Sequence, residues 1–288
     1  MKTTLHATAG TFLETAAQWL KAEEAVNNLI LGLAANISAR KQAGTARPLM
    51  MTVADRRGLR VAALMTTPPQ HIQVYAPDGP DKKALSVLAG ALKAGSYEAL
   101  GCMGPAATAR AFADIWTART RKKIAKTKDL LAYELRRMPE ATDVAGRLRV
   151  ATATDESLAA KWHHAFVLEA IGNDDAAASH SAAARGIANE SLFFWEDGGQ
   201  PVCQAYSSRR TRRGIAIGAV YTPPEFRGRG YGTACVTALS RRQLEAGREF
   251  CCLYADKANP TANGIYRRIG YVPVADIGQY SFTEATHA

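Results

Sequence analysis

Residues Gly214–Thr233 read GIAIGAVYTPPEFRGRGYGT, and this segment carries the strongest structural signal in the chain. The residues before Thr222 are almost all apolar, which is typical of a strand that is buried on both faces. Pro223 and Pro224 end the strand, because proline has no N–H to donate to a β-ladder. A glycine-rich turn follows, and apolar residues then recur at helical spacing as far as Ala246. The segment therefore predicts a strand, a glycine loop and a helix in succession.

The glycine loop is suited to binding a phosphate group. The first N–H groups of a helix have no intrahelical partner, and the helix dipole adds partial positive charge there. Glycines let the backbone approach such a ligand closely. The spacing excludes two known phosphate loops: no Lys-Ser or Lys-Thr follows the glycines, and G-x-G-x-x-G lacks its third glycine. A glycine-rich corner without a ligand is the structural alternative. The loop residues concerned are Arg227, Gly228, Arg229, Gly230 and Gly232.

The spacing R-x-x-G-x-G, at Arg227, Gly230 and Gly232, resembles the acyl-CoA pyrophosphate loop of the GCN5-related N-acetyltransferase (GNAT) superfamily. In that superfamily the loop joins the fourth strand to the third helix, which is where the pattern places it here. A second segment, NPTANGIYRRIGY, is similar to the N-x-x-A-x-x-x-Y…G-[FY] segment of the same superfamily, with its asparagine at Asn259 and its tyrosine at Tyr266. A helix cap and a core tyrosine are the structural alternatives for these two residues.

The resemblance implies a site for acetyl-CoA and direct transfer of its acetyl group to a primary amine. It implies that Tyr266 protonates the departing thiolate, which a phenol with a pKa near ~10 can do. It also implies that Asn259 contacts the pantetheine arm, and that a splayed edge of the strand Gly214–Tyr221 holds this arm through backbone hydrogen bonds. The residues expected to bind the cofactor are Val220, Tyr221, Thr222, Arg227, Gly228, Arg229, Gly230, Tyr231, Gly232, Thr233, Asn259 and Tyr266.

A general base is not evident. The strand Gly214–Tyr221 contains no carboxylate, and Glu225 suits a structural role at the start of the loop. Glu196 and Asp256 are candidates, the first through a water. No cluster of residues has the spacing of metal ligands, so we expect no metal. An acyl-CoA-binding GNAT module that no longer transfers the acyl group is therefore the alternative function.

The whole chain resembles a group of predicted tandem-GNAT acetyltransferases with a degenerate N-terminal half. The expected fold is α/β, with two tandem GNAT-like domains, each a mixed, mostly antiparallel sheet flanked by helices. We expect a degenerate domain over residues 1–140 and the acetyltransferase domain over 145–288. The first half has no R-x-x-G-x-G, and its stretch Gly95–Gly104 lacks the arginine and the spacing. That half would stabilise the pair or supply one wall of a substrate cleft.

The composition and net charge favour some classes of binding partner over others. The 288 residues carry a formal net charge of +10, which favours anionic partners. The basic runs lack interleaved aromatic residues, so nucleic-acid binding is a lesser alternative. No apolar run reaches the ~18 residues of a membrane span, and no secretory signal is evident. The five cysteines contain no C-x-x-C pair and indicate the reducing cytoplasm. The acceptor amine, whether a small molecule or a protein, stays open.

Overall fold

The computed structural model describes residues 1–39, 48–66, 70–172 and 174–285. The chain divides into two units. The first comprises Met1–Tyr133, Tyr254–Pro260 and Pro273–Ala288, and the second comprises Glu134–Leu253 and Thr261–Val272. Each unit has mostly antiparallel strands flanked by helices, as the predicted α/β fold requires. Among the described residues, no helix combines the length and the apolar character needed to cross a membrane.

Within its described residues, the first unit has seven strands in the order β1-β2-β3-β4-β5-β12-β6. The strand β12 comes from the C-terminal end of the chain and pairs antiparallel with β5, with Tyr280 opposite Cys102. The elements of this unit are β1 (Lys2–Leu5), α1 (Ala9–Ala22), α2 (Asn28–Ala39), β2 (Leu49–Asp55), β3 (Gly58–Met65), β4 (Gln70–Tyr75), α3 (Lys82–Ala94), β5 (Ala99–Pro105), α4 (Ala106–Thr120), β6 (Lys122–Leu135) and β12 (Val272–Glu284).

Alternation along the strands places apolar residues on both faces of this sheet. Val61 and Ala63 of β3 pack with α3 and α4, whereas Ala62 and Leu64 pack with α1 and α2. Successive side chains of a strand point to opposite faces, so an apolar run in β3 fills both layers. The first unit is therefore a sheet between two pairs of helices.

The described part of the second unit has five strands in the order β11-β10-β9-β8-β7. Strands β10 and β11 run parallel, and the other neighbours are antiparallel. The helices α5 and α6 pack on one face of the sheet, around Trp162, Phe194 and Tyr206. The elements are β7 (Arg147–Val150), α5 (Glu156–Ile171), α6 (Ala176–Ala188), β8 (Leu192–Asp197), β9 (Gln200–Ser208), β10 (Gly214–Tyr221), α7 (Tyr231–Glu245), β11 (Phe250–Asp256) and α8 (Pro260–Ile269).

Strand β5 contains two glycines, Gly101 and Gly104, at points where other strands approach closely. Its glycines, which lower β propensity, are needed because neighbouring backbone comes very close. A Cβ at Gly104 would overlap the carbonyl oxygen of Val74, and a Cβ at Gly101 would overlap that of Tyr280. The glycines therefore allow tight packing of β5 between β4 and β12. In strand β6, a lysine-rich first half extends the strand back to Lys122.

Candidate acyl-CoA site

The C-terminal end of β10 leaves its ladders. The register with β9 shifts between Gly218 and Tyr221, and Ala219 in this interval has φ +46°. A non-glycine residue rarely adopts this left-handed conformation, and an extra residue on one strand is a β-bulge. The parallel pairs with β11 run from Gly214↔Phe250 to Ala216↔Cys252 and end there in the described chain. The end of β10 is therefore splayed, as the resemblance implied, and its backbone groups are open to a ligand.

The loop after β10 leads directly into the start of α7. A 3-10 turn over Pro224–Phe226 is followed by Gly228 and Gly230, whose φ angles are +79° and +81°. Gly230 precedes the first helical residue, and no side chain caps this helix. The first N–H groups of α7, from Tyr231 to Thr233, therefore lack intrahelical acceptors by the geometry of a helix. An anion is the natural partner for such a group of donors.

The Arg227 side chain is engaged by protein groups at the start of this loop. Its Nε donates to the Thr222 carbonyl at 2.9 Å, and its Nη2 donates to the two Glu169 carboxylate oxygens at 3.0 and 2.9 Å. Its Cζ lies 5.7 Å from the centroid of the Tyr221 ring. The Tyr221 hydroxyl donates to Glu169 Oε1 at 3.4 Å. Burial, and next the Glu169 charge, raise the pKa of Tyr221.

Glu169 is the site residue that the sequence prediction missed. It lies near the end of α5, which stops at Gly172. A negative charge in the last turn of a helix is unfavourable with respect to the helix dipole. That local conflict is a signal that a tertiary contact compensates the charge, and Arg227 supplies it. The partner itself could not be deduced from spacing, because 58 residues separate the pair.

The predicted acid, Tyr266, lies in α8 and is half-buried. Its ring meets the Tyr271 ring edge-on at a centroid distance of 6.0 Å, and the Tyr271 N–H donates to the Tyr266 carbonyl at 3.0 Å. Tyr271 is itself buried, and its hydroxyl shares a 2.8 Å hydrogen bond with Ser240. Tyr266 therefore packs against a buried and hydrogen-bonded side chain. Asn259 is exposed and belongs to the first unit, where its N–H donates to the Asp256 carbonyl at 3.0 Å.

Both candidate bases are held in ion pairs. Glu196 accepts from Arg149 Nε at 2.6 Å and from Arg147 Nη2 at 3.0 Å. These hydrogen bonds, that of Arg149 first, lower the pKa of Glu196, which makes it a weaker base than an ordinary glutamate. Asp256 lies 3.2 Å from Lys128 Nζ and accepts from the Ala258 N–H at 2.9 Å. Each carboxylate is therefore paired with at least one basic side chain.

Cys235, in α7, has the environment of a packed thiol. It is fully buried, and a hydrogen bond with Cys203 and then burial raise the pKa of its thiol well above the usual value. A thiol of this kind stays protonated and is a poor nucleophile. The described residues contain no group of three or more His, Cys, Asp or Glu side chains placed to hold a metal ion.

Comparisons with protein families and solved structures agree with the expected GNAT-like fold. The family model described as FR47-like protein matches residues 201–276. A search of the curated proteins finds no match to this chain. A GNAT-family acetyltransferase from Colwellia psychrerythraea has 14% identity and a TM-score of 0.58, and the match covers 98% of this chain and 100% of that one.

Two further structures match along nearly the whole chain. A GCN5-related N-acetyltransferase from Sphaerobacter thermophilus has 15% identity and a TM-score of 0.60, covering 98% of this chain and 95% of that one. A tandem GNAT protein from the clavulanic acid biosynthesis pathway has 12% identity and a TM-score of 0.57, covering 100% of this chain and 99% of that one. The resemblance predicted from Arg227, Gly230 and Gly232 is thereby confirmed: the chain has the tandem GNAT fold, with an FR47-like segment in its C-terminal half.

Proposed function

We propose that this protein is an acetyl-CoA-dependent N-acetyltransferase that transfers an acetyl group to a primary amine. One observation carries the proposal: a splayed and bulged strand, β10, leads through a glycine loop to a helix whose first N–H groups have no side-chain cap. A pyrophosphate fits such a helix start, and a pantetheine arm fits an exposed strand edge. The GNAT fold of the chain supports acetyltransferase chemistry in general.

Each part of the cofactor has a proposed contact. The backbone from Gly228 to Thr233 receives the pyrophosphate, with Arg229 adding positive charge. The backbone of Val220, Tyr221 and Thr222 holds the pantetheine arm. A backbone N–H at the end of β10 polarises the thioester carbonyl, which stabilises the oxyanion that forms during amine attack.

Tyr266 acts as the acid in this proposal. Attack of the amine on the thioester carbonyl forms the new C–N bond, and collapse of the tetrahedral intermediate breaks the C–S bond. The Tyr266 hydroxyl gives its proton to the departing thiolate, and the amine loses a proton to water or to another base. The amine attacks in its neutral form, so the rate should rise with pH until the amine is fully deprotonated.

We assign the cofactor to the second unit. In the first unit, β4 and β5 remain paired in parallel, with His71 opposite Gly101 and Gln73 opposite Met103. Gly104 packs directly against the Val74 carbonyl, so these two strands close the gap that β10 and β11 leave open. We therefore propose that the C-terminal domain is the acetyltransferase and that the N-terminal domain is a degenerate copy. All five cysteines are free and buried, which supports a cytoplasmic location within this proposal.

The test is calorimetric titration of the purified protein with acetyl-CoA, beside Gly232→Glu and Gly232→Gln. Gly232 is preferable to Gly230, whose φ of +81° and 3.0 Å approach to Val144 Cγ2 would strain any side chain. A Cβ at Gly232 makes only ordinary contact, at 3.4 Å from Thr222 Oγ1. We expect binding by the unmodified protein, a large loss in Gly232→Glu, and a smaller loss in Gly232→Gln because the amide has no charge. Equal affinity in all three proteins would refute the site, and no binding at all would refute the function.

A silent acyl-CoA-binding module is the second candidate. The ion pairs of Glu196 and Asp256 favour it, because they leave neither carboxylate as an evident base. Thiol release from acetyl-CoA, measured with a panel of amino acids, polyamines, aminoglycosides and peptides, separates the two candidates. Turnover with any amine establishes the transferase, whereas tight binding without turnover across the panel favours the silent module.

A further inference from the structure

We propose that Glu169 is a positioning residue for the loop Arg227–Thr233. Its carboxylate holds the Arg227 guanidinium and thereby keeps the loop in the conformation that receives a pyrophosphate. The inference rests on the proposed function, since it concerns the same site. It assigns a role to a residue that lies outside the glycine loop and outside the acid-bearing helix.

The geometry links three elements through one side chain. Arg227 donates to Thr222, at the end of β10, and to Glu169, near the end of α5. The Tyr221 ring lies beneath the guanidinium, and the Tyr221 hydroxyl reaches the same carboxylate. Arginine presents its donors in a rigid planar fork, so contacts at Nε and Nη2 fix the side chain in orientation as well as in place. The first residue of the loop is therefore held before any ligand arrives.

Because Glu169 is negatively charged, an affinity measurement can separate a positioning role from simple charge repulsion. Acetyl-CoA is polyanionic, and a carboxylate beside its site repels it. If charge alone mattered, removing the Glu169 carboxylate would strengthen binding. If Glu169 holds the loop in place, removing it weakens binding, because the loop then has to be ordered at the expense of binding free energy. The two roles predict opposite changes in affinity.

The ion pair is also too exposed to serve mainly as a stability element. The Arg227 and Glu169 side chains are 48% and 51% exposed, and pairs of this kind contribute little to the free energy of unfolding. We therefore expect the melting temperature to change little when Glu169 is replaced. Loss of cofactor affinity in a protein with an unchanged melting temperature is what distinguishes positioning from folding.

The first experiment titrates acetyl-CoA into the unmodified protein, Glu169→Gln and Glu225→Gln. Glu225 is a matched control because it is an exposed carboxylate in the same loop region, within the 3-10 turn Pro224–Phe226. We expect about three- to tenfold weaker binding in Glu169→Gln, the range that the loss of one typical hydrogen bond implies. Glu225→Gln should bind equally or more tightly. Unchanged or tighter binding in Glu169→Gln would overturn the proposal.

The second experiment asks whether Glu169 acts through Arg227. Arg227→Gln and the double variant Glu169→Gln/Arg227→Gln complete a double-mutant cycle. We expect the double variant to bind acetyl-CoA no more weakly than Arg227→Gln alone, because the contact is already lost. Losses that multiply would show that Glu169 acts independently of Arg227 and would overturn the mechanism.

The third measurement needs no ligand. Amide hydrogen exchange at Phe226, Arg227 and Ala234, whose N–H groups donate to the carbonyls of Pro223, Pro224 and Gly230, reports how well the loop is ordered in the ligand-free protein. We expect severalfold faster exchange in Glu169→Gln and no change in Glu225→Gln. If the unmodified protein bound no acetyl-CoA, the proposed function would fail, and exchange would still decide the positioning role. Unchanged exchange in Glu169→Gln would refute that role on its own.

Discussion

The Tyr231 hydroxyl donates a 2.6 Å hydrogen bond to the Asp197 carboxylate. Tyr231 is the first residue of α7, and Asp197 is the last residue of β8. The bond therefore ties the helix start that follows the glycine loop to the hairpin between β8 and β9. This hydrogen bond is the main reason that the pKa of Tyr231 is raised.

Tyr231→Phe should lower the urea midpoint of the protein, because it removes the donor and leaves Asp197 without this partner. Asp197→Ala should lower the midpoint by a similar amount. The urea midpoint of the double variant should be no lower than that of the less stable single variant, because all three variants lose the same hydrogen bond. Additive losses in the double variant would contradict this, and urea denaturation curves followed by circular dichroism are the measurement.

The protein should lose stability in acid as the Asp155 carboxylate becomes protonated. It is buried and accepts from Arg149 Nη1 and Nη2 at 2.7 and 2.8 Å. These hydrogen bonds lower the pKa of Asp155 to about 2. A depressed folded-state pKa contributes stability above the unfolded pKa of ~3.9, and this stability is lost as the pH falls toward 2. The contribution is about 1–2 kcal/mol, after allowance for solvent screening.

Asp155→Asn should therefore lose about 1–2 kcal/mol of stability at pH 7 and show a shallower decline between pH 4 and pH 2. Urea denaturation at a series of pH values measures both effects. Asp143→Asn is the control, because Asp143 is an exposed carboxylate in the same unit. A decline of equal steepness in Asp155→Asn and the unmodified protein would contradict the assignment.

Tyr266→Phe should reduce turnover about a hundredfold or more while leaving acetyl-CoA affinity nearly unchanged, because general acid catalysis typically contributes ~10²–10⁴-fold. Phenylalanine keeps the edge-on ring contact with Tyr271, so the fold should persist. Thiol release with the amine that supports turnover gives kcat, and calorimetry gives the affinity. Full turnover by Tyr266→Phe would remove this tyrosine as the acid.

Ala219→Gly should stabilise the protein by about 0.5–1 kcal/mol, because glycine adopts φ +46° without the steric cost of a Cβ. Ala219→Val should destabilise it, since a β-branched side chain tolerates this conformation poorly. Chemical denaturation measures both. If Ala219→Gly were destabilising, the left-handed conformation at the β10 bulge would not be the native one.

Gly104→Ala should destabilise the first unit by about 2 kcal/mol or more, because its Cβ would overlap a backbone carbonyl that cannot move aside like a side chain. Gly10→Ala is the matched control. Gly10 lies in α1, where a Cβ would make an ordinary 3.6 Å contact with Thr8 Oγ1, so alanine should be neutral or slightly stabilising. Equal effects of the two substitutions on the denaturation midpoint would contradict the close approach of β4 and β5.

Local signals predicted much of the fold. Proline ends β10, glycine spacing marks the loop, and helical periodicity marks α7, so Gly214–Ala246 could be interpreted without any long-range information. Strand β5 could not be predicted in this way, because its glycines are explained by the neighbouring strands and not by its own propensity.

The sequence by itself determined the strand, the glycine loop and the helix of residues 214–246, and the R-x-x-G-x-G spacing that resembles GNAT proteins. These features depend on residues close together in the chain, where spacing has direct physical meaning. Only the tertiary structure decided that β12 pairs with β5 and that Arg227 is held by Glu169. Both relationships join residues far apart in the chain, and which distant groups meet depends on packing that local propensity does not encode.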